Sequence, residues 1–325
     1  SSMMEIINLG QHPPSDTFVK KEKLENPLNT LPLICNLCIK TGGVQLKYVF
    51  SEDIRYNLNS YSYSSDNSAF SRKYWQSYCA DILQFFDIKK NDNILEIGSN
   101  DGYLSSQFIK KGFKIFGVDP SKEMASIAQK RKLFTFNYLF NYENSKKIKK
   151  LKGKFKLLIA NNVFNHSNNP QNFLRGIKNL ISKDGIFIFE APYWLNTIKS
   201  GKFDQIYHEH ITYLNVKSCY NLLKQFNLEI FKIVETDYHG GSIRFYTRLN
   251  KYPKLNLITK TFIKNENKFG LFKIQTYRKF FKKINLRKYL LLSKIIELKK
   301  KKYKIICVGA AAKGNTFLNF HGLDN

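Results

Sequence analysis

Carboxylates are scarce in this chain: 25 Asp and Glu stand against 53 Lys and Arg, a formal charge of +28 over 325 residues. Cysteine is scarcer, five residues in an odd and scattered set, which excludes a disulfide framework and points to a reducing cytoplasm. No apolar run approaches the roughly 18 residues that span a bilayer. The opening SSMMEIINLGQHPP has no basic stretch leading into an apolar one, so no secretory signal is read there. Histidine is also rare, with six residues. Apolar residues are plentiful: 43% are hydrophobic and 15% aromatic, enough to bury a core in a chain long enough for about two domains.

The positive charge is uneven. Residues 251–325 hold 19 Lys and Arg against 3 Asp and Glu. A surface for RNA or an anionic membrane is one reading of that tail. Yet the lysines lack the interleaved Arg, Gly and aromatic residues of a single-strand binder, and Lys, Asn, Ile and Phe are abundant throughout. Compositional drift explains the charge more simply, and an anionic small substrate would also suit it. No nucleic-acid or membrane partner is expected.

Pro13-Pro14, Pro27 and Pro32 make residues 1–55 look loop-rich, with a Cys35-x-x-Cys38 pair inside. The spacing of Phe70, Tyr74, Tyr78, Ile82 and Phe85 predicts a helix over 69–86. Strands at 93–97, 114–118, 155–160 and 185–190 then alternate with helices at 103–111, 122–131 and 170–181. That alternation predicts an α/β fold, a parallel sheet with helices on both faces. The stretch 191–216 reads as neither helix nor strand. A helix at 217–226 and strands at 229–235 and 242–249, joined through His239-Gly240-Gly241, follow it. A basic amphipathic helix is expected at 271–300, with Ile274, Tyr277, Phe281, Ile284, Leu291 and Ile295 near one stripe. It reads as an interdomain helix rather than a membrane-surface one. A strand at 303–308 opens a last β–α unit, and there the sequence stops, so a fragment lacking most of its final domain is expected.

The sharpest cofactor signal is Leu95-Glu96-Ile97-Gly98-Ser99-Asn100-Asp101-Gly102-Tyr103-Leu104, a strand running through a glycine turn into a helix. Gly98 allows a tight turn and Gly102 a close helix; the spacing is not the G-x-G-x-x-G of a dinucleotide site. Asp119, 23 residues beyond Glu96, closes the next strand, where a carboxylate can accept both hydroxyls of a ribose. Turn, spaced Asp and sheet order together resemble the S-adenosylmethionine (SAM) site of class I methyltransferases, whose seven-stranded Rossmann-like sheet ends in an antiparallel pair. The resemblance implies that Glu96, Gly98 and Gly102 line the methionine end, Asp119 holds the ribose, and Asn100, Asn161 and Asn162 complete the cofactor site.

Tyr207-His208-Glu209-His210 gathers two of the six histidines, a carboxylate and a phenol. Imidazole is suited to moving protons near neutrality, so the cluster can hold a base, its orienting group and an oxyanion donor. On an extended segment, alternate histidines could instead chelate a metal, although position 212 is Thr and the zincin H-E-x-x-H is not formed. With Glu190-Ala191-Pro192-Tyr193, Asn161-Asn162-Val163-Phe164-Asn165-His166, His239-Gly240-Gly241-Ser242-Ile243-Arg244, Leu9-Gly10-Gln11-His12-Pro13 and Tyr61-Ser62-Tyr63-Ser64-Ser65, the pattern is similar to the sugar C-methyltransferase family that makes branched deoxysugars.

That resemblance implies a nucleoside-diphosphate 4-keto-deoxysugar acceptor, removal of its C3 proton and methylation of the resulting enolate. It makes His210 the base, with Tyr207, Glu209 and His166 about it. It puts Tyr61, Tyr63, Tyr193, His208, His239, Arg244 and Lys313 on the substrate. It also implies an N-terminal module with a structural zinc on two Cys-x-x-Cys pairs, of which only Cys35 and Cys38 are present, so the zinc site is expected to be incomplete. The implied organisation is that module over 1–55, a methyltransferase domain over 56–250 with a substrate insertion at 191–216, a helical linker over 251–300, and the start of a second Rossmann-like domain over 301–325. A cytoplasmic monomer is expected. The alternatives are an O-methyltransferase on a sugar or small metabolite, an RNA-binding or RNA-modifying protein, and a catalytically silent SAM-binding scaffold.

Overall fold

The computed structural model describes residues 3–15, 29–52, 55, 63–309 and 312–323. Among the described residues the expectation of a loop-rich start fails, and Pro27 lies outside them. β1 (Met3–His12) pairs antiparallel with β2 (Leu31–Cys38), β2 with β3 (Val44–Leu46), and β3 with β9 (Thr212–Tyr213), giving a four-stranded sheet. The prolines misled because they stand where a ladder tolerates them: Pro13-Pro14 follow β1, and Pro32 sits near the end of the pairing, opposite Gln11. Ile6, Ile7, Leu33, Leu37 and Val44 from this sheet pack with Trp194, Tyr213 and Tyr277 in one buried cluster.

A second sheet of seven strands has the order β10-β11-β8-β7-β4-β5-β6. Its strands are β4 (Ile94–Ile97), β5 (Ile115–Val118), β6 (Thr135–Phe136), β7 (Phe155–Asn161), β8 (Ile181–Pro192), β10 (Leu228–Thr236) and β11 (Ser242–Leu249). The β4–β8 ladders are parallel, and β11 runs antiparallel to both β8 and β10. Central strands buried on both faces must be apolar throughout, and Leu157, Leu158, Ile159 and Ala160 are all fully buried.

α1 (Ala69–Phe85) begins at Ser68, whose hydroxyl accepts the Ser71 amide at 3.1 Å. It buries Trp75, Tyr78, Cys79 and Ile82. Phe70 and Phe85, expected on the same stripe, are 60% and 63% exposed; Phe70 stacks on Tyr238 and Phe85 lies under the Lys232 ammonium. α2 (Tyr103–Lys110), α3 (Lys122–Lys130) and α5 (Pro170–Leu180) lie at their expected positions. α4 (Tyr142–Lys152) gives almost no apolar period, because it buries only Ser145 and Ile148.

The stretch 191–216 contains α6 (Trp194–Ser200), a 3₁₀ turn at Phe203–Gln205 and β9, so it contributes a strand to the first sheet while leaving the end of β8 in the second. α7 (Val216–Leu223) follows, and α8 (Leu257–Phe269) docks on it through Glu266. That buried carboxylate accepts the Tyr193 hydroxyl at 3.0 Å and the Val216 and Lys217 amides at 2.5 and 3.1 Å. Glu266→Ala orphans three donors at once and is expected to remove about 2–3 kcal/mol of stability, measured as a lowered urea midpoint. A loss below about 0.5 kcal/mol would mean that other acceptors replace the carboxylate.

α9 (Ile274–Lys300) buries only Tyr277, Phe280 and Ile284. The strand expected at 303–308 does not form: the segment is exposed, with Val308 at 95%, and it pairs with no strand among the described residues. α10 (Ala312–His321) returns to the body of the molecule, where the Thr316 hydroxyl donates to the Ile206 carbonyl at 3.0 Å. Among the described residues no helix is long and apolar enough to cross a membrane.

Candidate active site

β4 hands the chain to Gly98, whose φ is 68°. A Cβ there would lie 2.1 Å from the Val163 Cγ2, so only glycine fits. Asn100 follows at φ 49°, a left-handed conformation that asparagine tolerates better than most residues. The turn, the C-terminal ends of the parallel strands and the 203–210 segment line a cavity of about 380 Å³. The strand ends and their loops bring Glu96, Gly98, Asn100, Asp119, Asn161, Asn162 and His166 into it; Tyr207, Glu209 and His210 come from the insertion, and Tyr63, His239 and Lys313 from elsewhere in the chain.

Two carboxyls in this cavity are strongly perturbed. Burial pushes the Glu96 carboxyl up to about 8, against the hydrogen bond donated by the Ser105 hydroxyl and with help from nearby Asp101 and Asp119. Burial likewise lifts Asp119 to about 6, although it accepts the Asn100 and Ser121 amides at 2.8 and 2.9 Å. Ser99 Oγ, Asn161 Nδ2, Asn162 Oδ1 and Gln205 Oε1 are buried without a hydrogen-bond partner among the described residues. Buried polar atoms in a cavity wall are rarely left so without a ligand to meet them. A ligand bearing a cation beside Glu96 and hydroxyls beside Asp119 fits this wall, as a SAM site requires.

The segment Tyr207–His210 is a turn rather than a strand, since the His210 amide bonds the Tyr207 carbonyl at 3.0 Å. It therefore joins Tyr207 to His210 and separates His210 from His208, so the two histidines do not share the face a chelate would need. His210 Nδ1 lies 2.9 Å from the Gln205 carbonyl oxygen, which can only accept. Nδ1 therefore carries the proton, and the lone pair on Nε2 receives the Tyr207 hydroxyl at 2.7 Å. The Ile211 amide donates to the Asn165 carbonyl at 2.9 Å and the Ile211 carbonyl accepts the Leu46 amide at 2.9 Å, which pins the turn between the two sheets. The His166 ring meets that of His210 edge-on, 5.1 Å between centroids.

Burial holds all three cavity histidines neutral. Desolvation, with Arg55 and His239 nearby, brings His166 down to about 3. Desolvation and Lys313 do the same to His239, also about 3, and desolvation with His166, Lys313 and His239 keeps His210 well below the ordinary value. Away from the cavity, burial lowers His208 to about 4. Unfolded histidines take up protons first as pH falls below about 6.5, so the stability these four contribute is present above that pH and lost toward pH 4 and 3. Glu96 and Asp119 act oppositely: their raised values favour the fold at low pH, an advantage lost as pH rises toward about 6 for Asp119 and about 8 for Glu96. The melting temperature is therefore expected to peak near about pH 6.5 and to fall on both sides. Glu96→Gln should flatten the alkaline limb in a thermal-melt series; an unchanged limb would remove Glu96 as its cause.

Other expected site residues lie elsewhere. Tyr193 is fully buried, its hydroxyl bound to Glu266, and does not reach the cavity. His208 faces the opposite way, with Nε2 3.2 Å from the Leu31 carbonyl and its ring against Phe50. Arg244, expected on the substrate, forms a buried ion pair with Glu190 at 2.6 Å, because β11 places it directly across from Glu190 on β8. Gly102 caps α2 at φ 74° and lets it close on Ala128 of α3, 3.0 Å from where a Cβ would lie. Tyr61 lies outside the described residues. Cys35 and Cys38 do not fit a zinc site: both are buried, burial pushes the Cys35 thiol up to about 12, and no third ligand stands with them among the described residues. Sequence reasoning missed Trp75, Ser99, Leu139, Phe140, Asn141 and Gln205, all of which line the cavity. Asn141 caps α4, so finding that helix would have flagged it.

Residues 71–233 match the Methyltransferase domain family, and residues 237–325 match the C-methyltransferase C-terminal domain. C-methyltransferase NovU of Streptomyces niveus is 23% identical over 240 residues, 74% of this chain and 57% of NovU, so the chain spans little more than half the length of that relative. Among solved structures, a SAM-dependent methyltransferase of Thermotoga maritima (possible histamine N-methyltransferase) gives a TM-score of 0.43 at 17% identity, covering 55% of this chain and 90% of that one. A Clostridium acetobutylicum SAM-dependent methyltransferase gives 0.44 at 16% identity, covering 55% and 92%. With the first family match spanning half of its residues and the sheet in the expected order, the chain belongs to the methyltransferase-domain family, with the class I SAM-dependent fold.

Proposed function

We propose that the protein transfers a methyl group from SAM to carbon C3 of a nucleoside-diphosphate 4-keto-deoxysugar, with His210 taking the C3 proton. The observation that carries this reading is the tautomer of His210: Gln205 holds the proton on Nδ1 and leaves the basic Nε2 lone pair beside a phenol, in the cavity shared with Glu96 and Asp119. Glu96 would face the cationic methionine end and Asp119 the ribose, with Asn100, Asn161 and Asn162 around them. Bound SAM supplies the electrophilic methyl group. The chain supplies the rest: a neutral base, a ketone-facing donor in Tyr207 or His166 for the negative oxygen, and a desolvated wall. Lys313 and His239 line the same cavity and would meet the polar end of the acceptor. The acceptor is thus a small nucleotide-linked sugar, and the reading needs neither nucleic acid nor a second copy of the chain.

The test is solvent exchange. With a thymidine-diphosphate 4-keto-6-deoxysugar in D₂O and S-adenosylhomocysteine in place of SAM, the protein is expected to wash deuterium into C3, and His210→Ala to abolish the exchange. Methylation without any C3 exchange would favour O-methylation, which needs a base but no enolate. Full exchange in His210→Ala would remove that residue from the role of base.

A further inference from the structure

The cofactor turn is tied to a segment that forms part of the cavity wall. Residues 63–66 lie over the turn. The Asn100 side chain grips them twice: its Nδ2 donates to the Tyr63 carbonyl at 2.9 Å and its Oδ1 accepts the Ser65 amide at 3.1 Å. Asp101, 1% exposed, accepts the Ser64 hydroxyl at 2.6 Å, the Ser65 hydroxyl, and the Asp66 amide at 3.3 Å. Arg131 closes the arrangement at 2.7 Å from Asp66 and 3.7 Å from Asp101. On the cofactor side, the Asn100 amide donates to Asp119 at 2.8 Å. On the other side, Tyr63 and Ser65 line the cavity, and the Tyr63 hydroxyl sits 3.2 Å from that of Tyr238, next to His239.

One residue pair, Asn100-Asp101, therefore touches both the carboxylate expected to hold the cofactor and the wall facing the insertion. We propose that Asn100 and Asp101 are positioning residues that couple occupancy of the cofactor site to the order of residues 63–66, so that a bound cofactor builds the wall against which the acceptor docks. This rests on the SAM reading of Glu96 and Asp119. The physical basis is that, among the described residues, most of the polar anchors of the wall are these two side chains and Arg131, with Arg72 on the Asp66 carbonyl and Tyr238 on the Tyr63 hydroxyl beside them. A ligand that fixes the turn then removes conformations the wall would otherwise sample.

The test is amide hydrogen exchange with S-adenosylhomocysteine as the probe, alongside calorimetry for its binding. In the unaltered chain the probe is expected to slow exchange at residues 64–66 by about tenfold or more. Ser64→Ala and Asp101→Asn should still bind the probe but show less than about a twofold slowing there, while Ser64→Thr, which keeps the hydroxyl, restores the protection. A merely structural contact would change exchange equally with and without the probe. Binding with no slowing at 64–66 in the unaltered chain overturns the coupling, as does full protection in both Ser64→Ala and Asp101→Asn. Absence of any binding heat instead sinks the cofactor reading, and this inference with it.

Discussion

Replacing Arg244 with Met is expected to remove about 3–5 kcal/mol of stability, the usual consequence of stranding one half of a buried ion pair. Glu190 is fully buried and Arg244 is 4% exposed. The Arg244 Nε donates to the carboxylate at 2.6 Å, and its Nη2 donates to the Tyr74 hydroxyl at 2.8 Å, while that hydroxyl donates to Glu190 at 2.6 Å. The guanidinium also lies 4.0 Å from the centroid of the Tyr78 ring. Without Arg244 the carboxylate keeps, among the described residues, only Tyr74 and a weak contact from Thr236 at 3.4 Å, and no other cation there is paired with it. The loss should reach the active site, because the Glu190 carbonyl accepts the Asn162 amide at 2.7 Å and the Tyr78 hydroxyl donates to Asn161 at 3.2 Å. Equilibrium denaturation would measure it, and Glu190→Leu combined with Arg244→Met should recover most of the loss, since replacing both charges leaves no orphan. A single-variant loss below about 1 kcal/mol would refute the assignment.

That arginine also marks where the sequence stops being legible. The glycine turn, Asp119 and most of the alternation carry local signatures, so six of the seven strands and the residues around Gly98 could be read directly, while the two-residue β6 and the weakly apolar α4 could not. Arg244 has no such signature: its partner is fixed by the register of β11 against β8, which no short pattern encodes. The first sheet was hidden for a related reason. Its fourth strand is two residues, Thr212–Tyr213, from a segment 166 positions beyond Leu46, and prolines at its margins gave the opposite signal. In the Tyr-His-Glu-His cluster the composition was legible but the backbone was not. An extended segment would have put His208 beside His210; the turn puts Tyr207 there and sends His208 to Leu31 and Phe50. The failed strand at 303–308 shows the converse, an apolar run with every local mark of a strand that pairs with neither sheet among the described residues.

His210→Gln is expected to slow C3 exchange by about 10²–10⁴-fold, the range that a positioned general base contributes. Tyr207→Phe should slow methyl transfer by about 10²-fold, through loss of a donor beside the developing oxyanion. The two substitutions should differ in how they act. His210→Gln removes the proton acceptor, whereas Tyr207→Phe leaves the His210 Nε2 its lone pair and removes a donor to the enolate oxygen; both steps pass through the enolate, so exchange and methylation fall together in each variant, further in His210→Gln. The pH dependence follows from burial. Because desolvation and the neighbouring His166 and Lys313 keep His210 well below the ordinary histidine value, the ring stays neutral as the solution is acidified. The exchange rate should therefore show no acid limb at the usual histidine value of about 6.5. Lys313→Met takes away one of the positive neighbours and should draw any acid limb toward neutrality. A limb at about 6.5 in the unaltered protein that disappears in His210→Gln would mean that the ring titrates as it does in water, and would overturn the account of a desolvated base held by Gln205.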